Sequence, residues 1–439
     1  MTNNSFDKFR DVGSPLSDWT IPAEDGVHRR TIVKGAAWTI PVVAVSVATP
    51  AAAASKTPTL KFTQSSYSGT ACGTITGVQV KRTTDGTAAD AGKTVTVTLA
   101  DGYKFKDKTT TYTATTDSSG LITLPDISVP ARGGDTKFSA SSDTLSASAP
   151  VTTATKSDAA YVASKNTPGS AYTKVPGDAT PLEGNYFLAK NGDLYHGDTL
   201  VTSGVSKAVG YNTGGGAAND YVTYITSDGK AHTGNNNSTG GAKTNVPNNS
   251  TPLGGNYFLS SDGKLYHGDT LVTSGVSKAV GYSAGGTNDY VNYITSDGKA
   301  HTGNNNNTGT AKTNVPNNST PLGGNYFLSS DGKLYHDDTL VTSGVSKAVG
   351  YNSGGGAAND YVTYITSDGK AHTGNNSNTG TAKTNVPKNS TPLSGNYFLS
   401  SDGTLYHDDT AVTTDVTAAA GYNAGGTSDY ATYTKAKAC

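Results

Sequence analysis

The chain has 439 residues, a formal net charge of −1 and only 15% charged residues. This balance excludes the large basic surface that nucleic acid or an anionic membrane would require. Glycine (53 residues) and tyrosine (25 residues) are abundant, whereas Glu occurs only at positions 24 and 183. Short β-strands joined by tight turns suit this composition, because Tyr and Thr favour strands and Gly and Asn favour turns.

The first segment predicts export. Arg29 and Arg30 open the run Arg-Arg-Thr-Ile-Val-Lys, which ends at Lys34 and resembles a twin-arginine signal. An apolar stretch and a small-residue site ending near Ala54 follow, as in a cleavable signal peptide. The apolar stretch is too short to span a bilayer stably. We therefore predict a twin-arginine signal peptide over 1–55, with the twin-arginine translocase and a signal peptidase as partners during export.

The rest of the sequence shows neither a second apolar span nor a recognised lipidation or wall-sorting motif. We expect no membrane span in the mature chain and a secreted or cell-surface location. In this order of segments the chain resembles secreted and surface proteins of actinobacteria.

Residues 56–153 lack the repeat found later and predict a β-sandwich. Short apolar–polar alternations separated by turn residues are typical of such a domain, and they cover 60–62, 78–80, 95–99, 112–114, 122–124 and 138–140. The run 115–127, in which a polar turn and a Gly precede an alternating strand, resembles bacterial immunoglobulin-like domains of the invasin type. That resemblance implies a spacer or stalk.

Residues 154–439 contain a repeat. The segment Asn-Tyr-Phe-Leu begins at Asn185, Asn256, Asn325 and Asn396, so the period is 71, 69 and 71 residues. Each period holds two Asp-Gly or Asn-Gly turns, and these give a unit of about 35 residues, enough for four short strands. Repeats of this size predict propellers, solenoids or arrays.

The two ends of the repeat region predict a closed ring. The chain stops just after the strand around 429–433, and the missing later part of that unit lies near 158–182. The phrase Asp-Gly-x-Leu-Tyr resembles propellers of the regulator-of-chromosome-condensation type. We therefore expect an all-β chain, an immunoglobulin-like β-sandwich followed by a β-propeller of eight small blades closed by the C-terminal strand. A seven-bladed ring with an extra unit and a hairpin solenoid remain the alternatives.

The repeated polar residues predict no catalytic or metal centre. The histidines that recur in phase are His196, His232, His267, His301, His336, His372 and His407. Relative to the Asp-Gly turns they fall into two classes offset by one residue, which places them on opposite strand faces. The recurring Asp residues suit turn formation. We expect no enzyme and no cofactor, with a glycoside hydrolase or lyase as the remaining enzymatic alternative.

A repeated binding surface is the favoured function. Aromatic rings suited to stacking on sugars recur at Tyr195, Tyr266, Tyr335 and Tyr406. The Asn-rich loops are centred on Asn236, Asn305 and Asn376. The competing interpretations are strand packing for the tyrosines and turn formation for the asparagines. We predict an exported binding or adhesion protein that presents these groups to a cell-wall or host glycan or to a surface protein. A purely structural envelope protein is the alternative.

The chain has two cysteines, Cys72 and Cys439, which are candidates for a disulfide bond. An exported protein can form disulfides, but a sequence does not supply the geometry that a disulfide requires. An intramolecular bond, two free thiols and an intermolecular bridge therefore all remain open.

We predict that replacing both Arg29 and Arg30 by Lys abolishes most export, because the twin-arginine pathway reads the guanidinium pair. Immunoblotting of culture supernatant and cell fractions measures the effect. Secretion at the parental level would contradict the twin-arginine assignment, and intact-mass analysis of the secreted parent tests cleavage near Ala54.

Overall fold

The computed structural model describes residues 57–354, 356 and 359–439. The predicted signal peptide over 1–55 lies outside them. The described regular structure is all β, apart from one 3₁₀ turn at Ala217–Asn219. Among these residues there is no helix of the length and hydropathy needed to cross a membrane.

The first part of the described chain, which we call the N-terminal β-domain, contains eleven strands within the described residues. They are β1 (Thr59–Phe62), β2 (Tyr67–Gly69), β3 (Thr74–Ile75), β4 (Gln79–Thr83), β5 (Thr94–Thr98), β6 (Lys104–Phe105), β7 (Thr111–Thr115), β8 (Leu121–Thr123), β9 (Ile127–Ser128), β10 (Thr136–Ser142) and β11 (Leu145–Thr153). The sheets have the orders β1-β4-β8, β2-β11-β10-β5-β7 and β3-β9-β6. The inward residues of the alternating strands, among them Val80, Val97 and Phe138, form one apolar core.

The repeat region, which we call the ring, contains the remaining strands. Its first half holds β12 (Ala159–Ser164), β13 (Thr180–Pro181), β14 (Tyr186–Leu188), β15 (Leu194–His196), β16 (Thr199–Thr202), β17 (Val205–Asn212), β18 (Asp220–Thr226), β19 (Ala231–Asn235), β20 (Thr251–Pro252), β21 (Tyr257–Leu259), β22 (Leu265–His267), β23 (Thr270–Thr273), β24 (Val276–Ser283), β25 (Asp289–Thr295) and β26 (Ala300–Asn304). Its second half holds β27 (Thr320–Pro321), β28 (Tyr326–Leu328), β29 (Leu334–His336), β30 (Thr339–Thr342), β31 (Val345–Asn352), β32 (Asp360–Thr366), β33 (Ala371–Asn375), β34 (Thr391–Pro392), β35 (Tyr397–Leu399), β36 (Leu405–His407), β37 (Thr410–Thr413), β38 (Val416–Asn423) and β39 (Asp429–Lys435).

Within the described residues these strands form antiparallel sheets that alternate between four and three strands. The expectation of four strands in every unit is therefore wrong for alternate units. After β19 the chain runs back along the sheet but makes only isolated bridges, His232 with Ala242 and Asn235 with Ser238. This segment is rich in Asn, Gly and Thr, and Asn and Gly are poor strand formers, so it does not sustain a ladder.

The last strand of the chain pairs with the first strand of the ring. Strand β39 lies between β38 and β12, and its contact with β12 runs from Ala159 opposite Lys435 to Ser164 opposite Tyr430. The rings of Tyr161 and Tyr433 stack across this pair at 5.1 Å. The strand near 429–433 thus completes the unit that begins at the opposite end of the repeat region, as the sequence predicted.

The apolar cores show that the sheets surround an axis. In the described chain eight ring sheets enclose eight apolar clusters, one between each sheet and the next, whereas a linear array of eight sheets would enclose seven. The cluster that joins the end of the array to its beginning contains Tyr397, Leu405, Val416 and Tyr433. This arrangement of repeated sheets fits a β-propeller.

Four glycine-rich loops meet at the axis and bond to one another in a cycle. Backbone N–H groups donate from Gly216 to Ala424 O (2.7 Å), from Gly426 to Ser353 O (2.9 Å), from Gly356 to Ala284 O (3.0 Å) and from Gly286 to Thr213 O (3.1 Å). Glycine is required here: a Cβ on Gly214, whose φ is +78°, would lie 3.2 Å from the Cα of Gly354. The loops therefore close the axis at one end of the ring.

The N-terminal β-domain is tied to the ring by covalent and polar contacts. A disulfide joins Cys72 to Cys439, which settles the pairing that the sequence left open. The Arg132 guanidinium donates to the backbone oxygens of Ser401 and, at 3.0 Å, of Asp402. These bonds hold the domain against the ring sheet that contains β34 to β37.

We predict that deleting residues 428–439 lowers the melting temperature of the whole ring by about 10 °C or more. Loss of the fully buried Tyr433 alone is worth about 3–5 kcal/mol, and 1 kcal/mol corresponds to roughly 2–4 °C in a large domain. The opened sheet edge should also promote association, and calorimetry with light scattering measures both effects. The control, Cys439→Ser, removes the disulfide and keeps β39, so it should cost less. A truncated chain that melts unchanged and stays monomeric would refute closure.

Candidate binding face

The ring has two faces with different loops. Strand β18 begins at Asp220 beside the axial loop, and its next residue, Tyr221, pairs with Asn235 at the end of β19. The axial loops and the Asn-rich loops (235–239, 304–308, 375–379 and the equivalent 164–168) therefore lie on one side, which we call the amide face. The hairpin turns at the other strand ends form the turn face.

Asp side chains shape the turn face, as the sequence predicted. Gly229, at the β18–β19 turn, has φ +87°, and Asp228 accepts a hydrogen bond from the Thr226 hydroxyl. That bond, followed by one from Lys230, lowers the pKa of Asp228 to about 2. Arg132 binds the corresponding turn at 401–402, so the N-terminal β-domain attaches on the turn face. The amide face points the opposite way.

A hydrogen-bonded relay crosses the amide face from the axis outward. Asn212 Nδ2 donates to Asp220 Oδ1 at 2.6 Å, and the same side chain bonds the axial loop through Gly214 N and Gly216 O. Asp220 Oδ2 lies 3.0 Å from His196 Nε2. His196 Nδ1 lies 3.2 Å from Asn237 Oδ1. The Asp220 carboxylate is fully buried and the imidazole is 14% exposed, so the relay ends on the one exposed residue, Asn237.

The His–Asp pair of the relay recurs in each long repeat, whereas the second repeat has Ser283 in place of the axial Asn212. The His–Asp pairs are His196–Asp220, His267–Asp289, His336–Asp360 and His407–Asp429, with nitrogen–oxygen distances of 3.0 to 3.1 Å. The terminal amide is Asn237, Asn306 or Asn166, the last supplied to His407 by the loop after β12. The third repeat has Ser377 at this position, and His336 Nδ1 has no protein partner among the described residues.

A buried tyrosine lies beneath each of these histidines. The ring of Tyr186 lies 4.8 Å from the imidazole of His196. Its hydroxyl donates to the backbone oxygens of Asp220 and Asn236, at 3.2 and 3.0 Å. Burial raises the pKa of this phenol far above its usual value. Equivalent contacts form at Tyr257, Tyr326 and Tyr397. The imidazoles of His196, His267 and His407 are therefore fixed from below as well as at both nitrogens.

The terminal amides each keep one polar end free of protein partners. Asn237, Asn306 and Asn166 each use Oδ1 toward a histidine, and their Nδ2 groups make no hydrogen bond within the described residues. All three residues are exposed. Because one end of each amide is held by a histidine, the other end has a defined direction, and each repeat that carries Asn presents one oriented amide group to solvent. We call these three side chains the oriented amides.

The predicted sugar-stacking tyrosines have a packing role instead. Tyr266 and Tyr335 are only 7% exposed and belong to apolar clusters between sheets. Tyr195 and Tyr406 are half-buried and pack against the equivalent clusters. The rings of Tyr266 and Tyr335 therefore fill core space between neighbouring sheets and are not available for stacking on a ligand. Burial therefore argues against glycan stacking at Tyr266 and Tyr335, and glycan binding at Tyr195 and Tyr406 stays a prediction.

The central asparagines of the loops also have a structural role. Asn236, Asn305 and Asn376 adopt φ values of 45 to 47°, a conformation that Asn tolerates well. The backbone N–H of Asn236 donates to Asp220 O, and its Nδ2 donates to Ala218 O at 2.7 Å. These residues fold the loop so that the following residue reaches the histidine. The candidate ligand contact therefore moves one position along the chain, from Asn236 to Asn237 and from Asn305 to Asn306.

The second class of histidines has different surroundings. His232, His301 and His372 stack on Tyr224, Tyr293 and Tyr364 at 4.9 Å, and burial raises the pKa of these tyrosines to about 12. Their buried Nδ1 atoms have no hydrogen-bond partner within the described chain. The two classes thus have separate environments, and no group of metal-ligating side chains converges among the described residues.

The structure also shows a set of half-buried tyrosines that the sequence did not predict as candidate site residues. Half-buried rings stack at 5.5 to 5.7 Å on buried neighbours, and the pairs are Tyr221 on Tyr211, Tyr290 on Tyr282, Tyr361 on Tyr351 and Tyr430 on Tyr422. The outer hydroxyls make no hydrogen bond within the described residues. The sequence feature that could have identified these tyrosines is the Asp-Tyr dipeptide at the start of the second half of each repeat. It places a Tyr next to the Asp of the relay.

Comparisons with known proteins add little beyond the fold. No protein-family model and no curated protein matches the chain. Solved structures that are similar include BamB from Moraxella catarrhalis, at 15% identity and a TM-score of 0.30 over 64% of this chain and 92% of that one. The WD40 β-propeller domain of Doa1 matches at 11% identity and 0.29, over 62% and 97%. A quinonprotein alcohol dehydrogenase-like protein from Bacteroides thetaiotaomicron matches at 12% and 0.27, over 73% and 93%. At such scores the likeness says nothing about ligands.

We predict that His301 and His372 make the ring less stable in acid. Burial lowers the pKa of both imidazoles, so their stabilising contribution is present above the unfolded value of about 6.5 and is lost as the pH falls below it. The fourth equivalent position carries Tyr161, which makes Tyr a natural replacement. The double variant His301→Tyr/His372→Tyr should therefore lose less melting temperature than the parent between pH 8 and pH 5. Equal losses would show that these imidazoles do not contribute.

Proposed function

We propose that this protein is a non-enzymatic binding protein whose amide face holds a partner through the oriented amides. The observation that carries the proposal is the relay itself. In the first repeat, a buried carboxylate, an imidazole and a second amide all act to fix one exposed side chain, Asn237. A recognition group is effective when surrounding hydrogen bonds lock it in place before the partner arrives.

The position of the relay supports binding from the amide face. The axial loops close the ring on this side, so a partner would lie across the face and could contact several repeats at once. The N-terminal β-domain occupies the turn face through Arg132. It would therefore support the ring from behind and leave the binding surface open, which is the role of a spacer.

The finer architecture belongs to the same proposal. The eight ring sheets would be the blades of a closed eight-bladed propeller at 154–439, and the N-terminal β-domain an immunoglobulin-like sandwich over 56–153. A twin-arginine signal peptide over 1–55 would carry the chain out of the cell, to be secreted or retained at the surface. The disulfide between Cys72 and Cys439 supports export, because disulfides persist in oxidising compartments.

An enzymatic function is not favoured. The four His–Asp pairs are repeated, and both ring nitrogens of His196, His267 and His407 already have protein partners. A catalytic base must be able to reach a substrate proton, and these imidazoles reach neighbouring side chains instead. The remaining alternative is an envelope protein that binds no partner through this face, which the following experiment separates from a binding protein.

We predict that blocking the amide face weakens binding to intact actinobacterial cells, whose surface offers both glycans and proteins. The variant Asn237→Trp/Asn306→Trp adds bulk at two oriented amides and should weaken cell binding at least about tenfold, as the loss of two contacts in a multivalent surface implies. Flow cytometry with labelled protein, starting at residue 56, measures it.

The matched control is Asn248→Trp/Asn317→Trp, which adds the same bulk at exposed asparagines beside the turns of the opposite face. It should bind as the parent does. Equal binding by both variants would exclude the amide face, and absence of binding by the parent would favour the structural alternative.

A further inference from the structure

We infer that the partner of the amide face is a neutral polysaccharide, which several repeats bind together through the oriented amides. This inference rests on the proposed function and adds the chemical class of the partner and the way in which it is held.

The chemistry of the loops favours an uncharged ligand. The segments 235–239, 304–308 and 375–379 contain only Asn, Ser and Thr, and the equivalent segment 164–168 adds a single charged residue, Lys165. The Asp220 and Asp289 carboxylates behind the first two loops are each paired with a histidine. An acidic polymer would need Arg or Lys at the contact points, since these residues form the strong charge-assisted bonds to carboxylate or phosphate. Amide and hydroxyl groups match the hydroxyl-rich surface of a neutral sugar, because a sugar hydroxyl both donates and accepts hydrogen bonds.

A partly exposed tyrosine stands beside each loop. Tyr221 is opposite Asn235 at the end of β19, and the oriented amide Asn237 follows two residues later in the adjoining turn. Its ring is held by stacking on the buried Tyr211 at 5.7 Å, and its hydroxyl has no partner in the described structure. A sugar presents polar edges and apolar patches, so an oriented amide beside a half-buried phenol offers both kinds of contact.

The repeat makes the binding multivalent. Each contact is small, but contacts on one rigid ring act at a high effective concentration once the first has formed. A polymer with a repeating unit can use several of them, whereas a short oligosaccharide can use only one. Three repeats end in Asn and one ends in Ser377, so the chain itself supplies a vacant fourth position at His336.

The test restores and removes amides in the full mature chain. Biolayer interferometry measures binding by three proteins. They are the parent, the triple variant Asn166→Ala/Asn237→Ala/Asn306→Ala and the single variant Ser377→Asn. The immobilised probes are glucan, mannan, galactan, the neutral wall polysaccharide of an actinobacterium and, as an acidic polymer, polygalacturonate. Oligosaccharides of two to four sugars serve as monovalent probes, and Asn248→Ala/Asn317→Ala on the turn face is the matched control.

We expect at least one neutral polymer to bind. The triple variant should weaken binding at least about tenfold, and Ser377→Asn should strengthen it about threefold or more, because one further contact acts through avidity. Affinity for the oligosaccharides should stay the same in the Ser377→Asn variant, and the turn-face control should bind like the parent. Ser377→Asn is decisive because a gain cannot result from misfolding.

Three results would overturn the inference. They are preference for polygalacturonate, absence of binding to every polysaccharide, and binding that ignores all four amide positions. If the polysaccharides fail while binding to intact cells still depends on Asn237 and Asn306, the proposed function stands and the partner is a surface protein. If cell binding also fails, the proposed function fails with the inference.

Discussion

The pairing of β39 with β12 is the interaction on which the rest of the ring depends. A sheet array of this kind buries each apolar surface against the next sheet, so an open array leaves one unburied surface at each end and one unpaired strand edge. In this chain the last strand covers both, because β39 pairs with β12 and its Tyr433 packs into the cluster that contains Tyr397. Closure joins residues far apart in sequence, which costs loop entropy that increases only slowly with length. The buried side chains and the backbone ladder offset that cost together, so closure is cooperative.

The same pairing assembles the fourth copy of the relay. His407 lies on β36, Asp429 begins β39, and the amide that completes this copy belongs to Asn166, in the loop after β12. No continuous stretch of the chain contains these three residues. The axial cycle of hydrogen bonds has the same dependence, since two of its four bonds involve the loop between β38 and β39. Folding stability and the completeness of the amide face therefore rest on one strand pair.

Much of the fold follows from the sequence because it is encoded locally. The turn glycines fix where hairpins reverse, and the alternation over 95–99 or 138–140 identifies strands β5 and β10 with their inward faces. The parts that were missed depend on tertiary context. Strand β11 alternates mostly small apolar residues with Ser, Pro150 and Thr, which is a weak strand signal, yet it lies between β2 and β10 in a five-stranded sheet. The three-stranded units were not predicted, because the sequence of the segment after β19 does not reveal that it forms only isolated bridges. That becomes clear only from its position beside β19.

The candidate site could not be read from residue type alone, because the informative property is which side of a strand each residue occupies. Tyr266 and Tyr293 both lie on half-repeat strands and both are buried, whereas Tyr290 remains half-exposed three residues before Tyr293. Likewise Asn236 folds its loop and its neighbour Asn237 is held outward by His196. A one-residue step thus separates a structural group from a candidate ligand contact, because the two neighbours in this turn contact different partners. Such a step is invisible in a repeat whose copies are nearly identical, since identity preserves packing residues and binding residues alike. The one repeat that differs at the exposed end of the relay, with Ser377 in place of Asn, is more informative than the identical copies. It changes the exposed end of one relay and leaves its His336–Asp360 pair in place at 3.0 Å, so the buried part of the relay persists where the exposed amide does not.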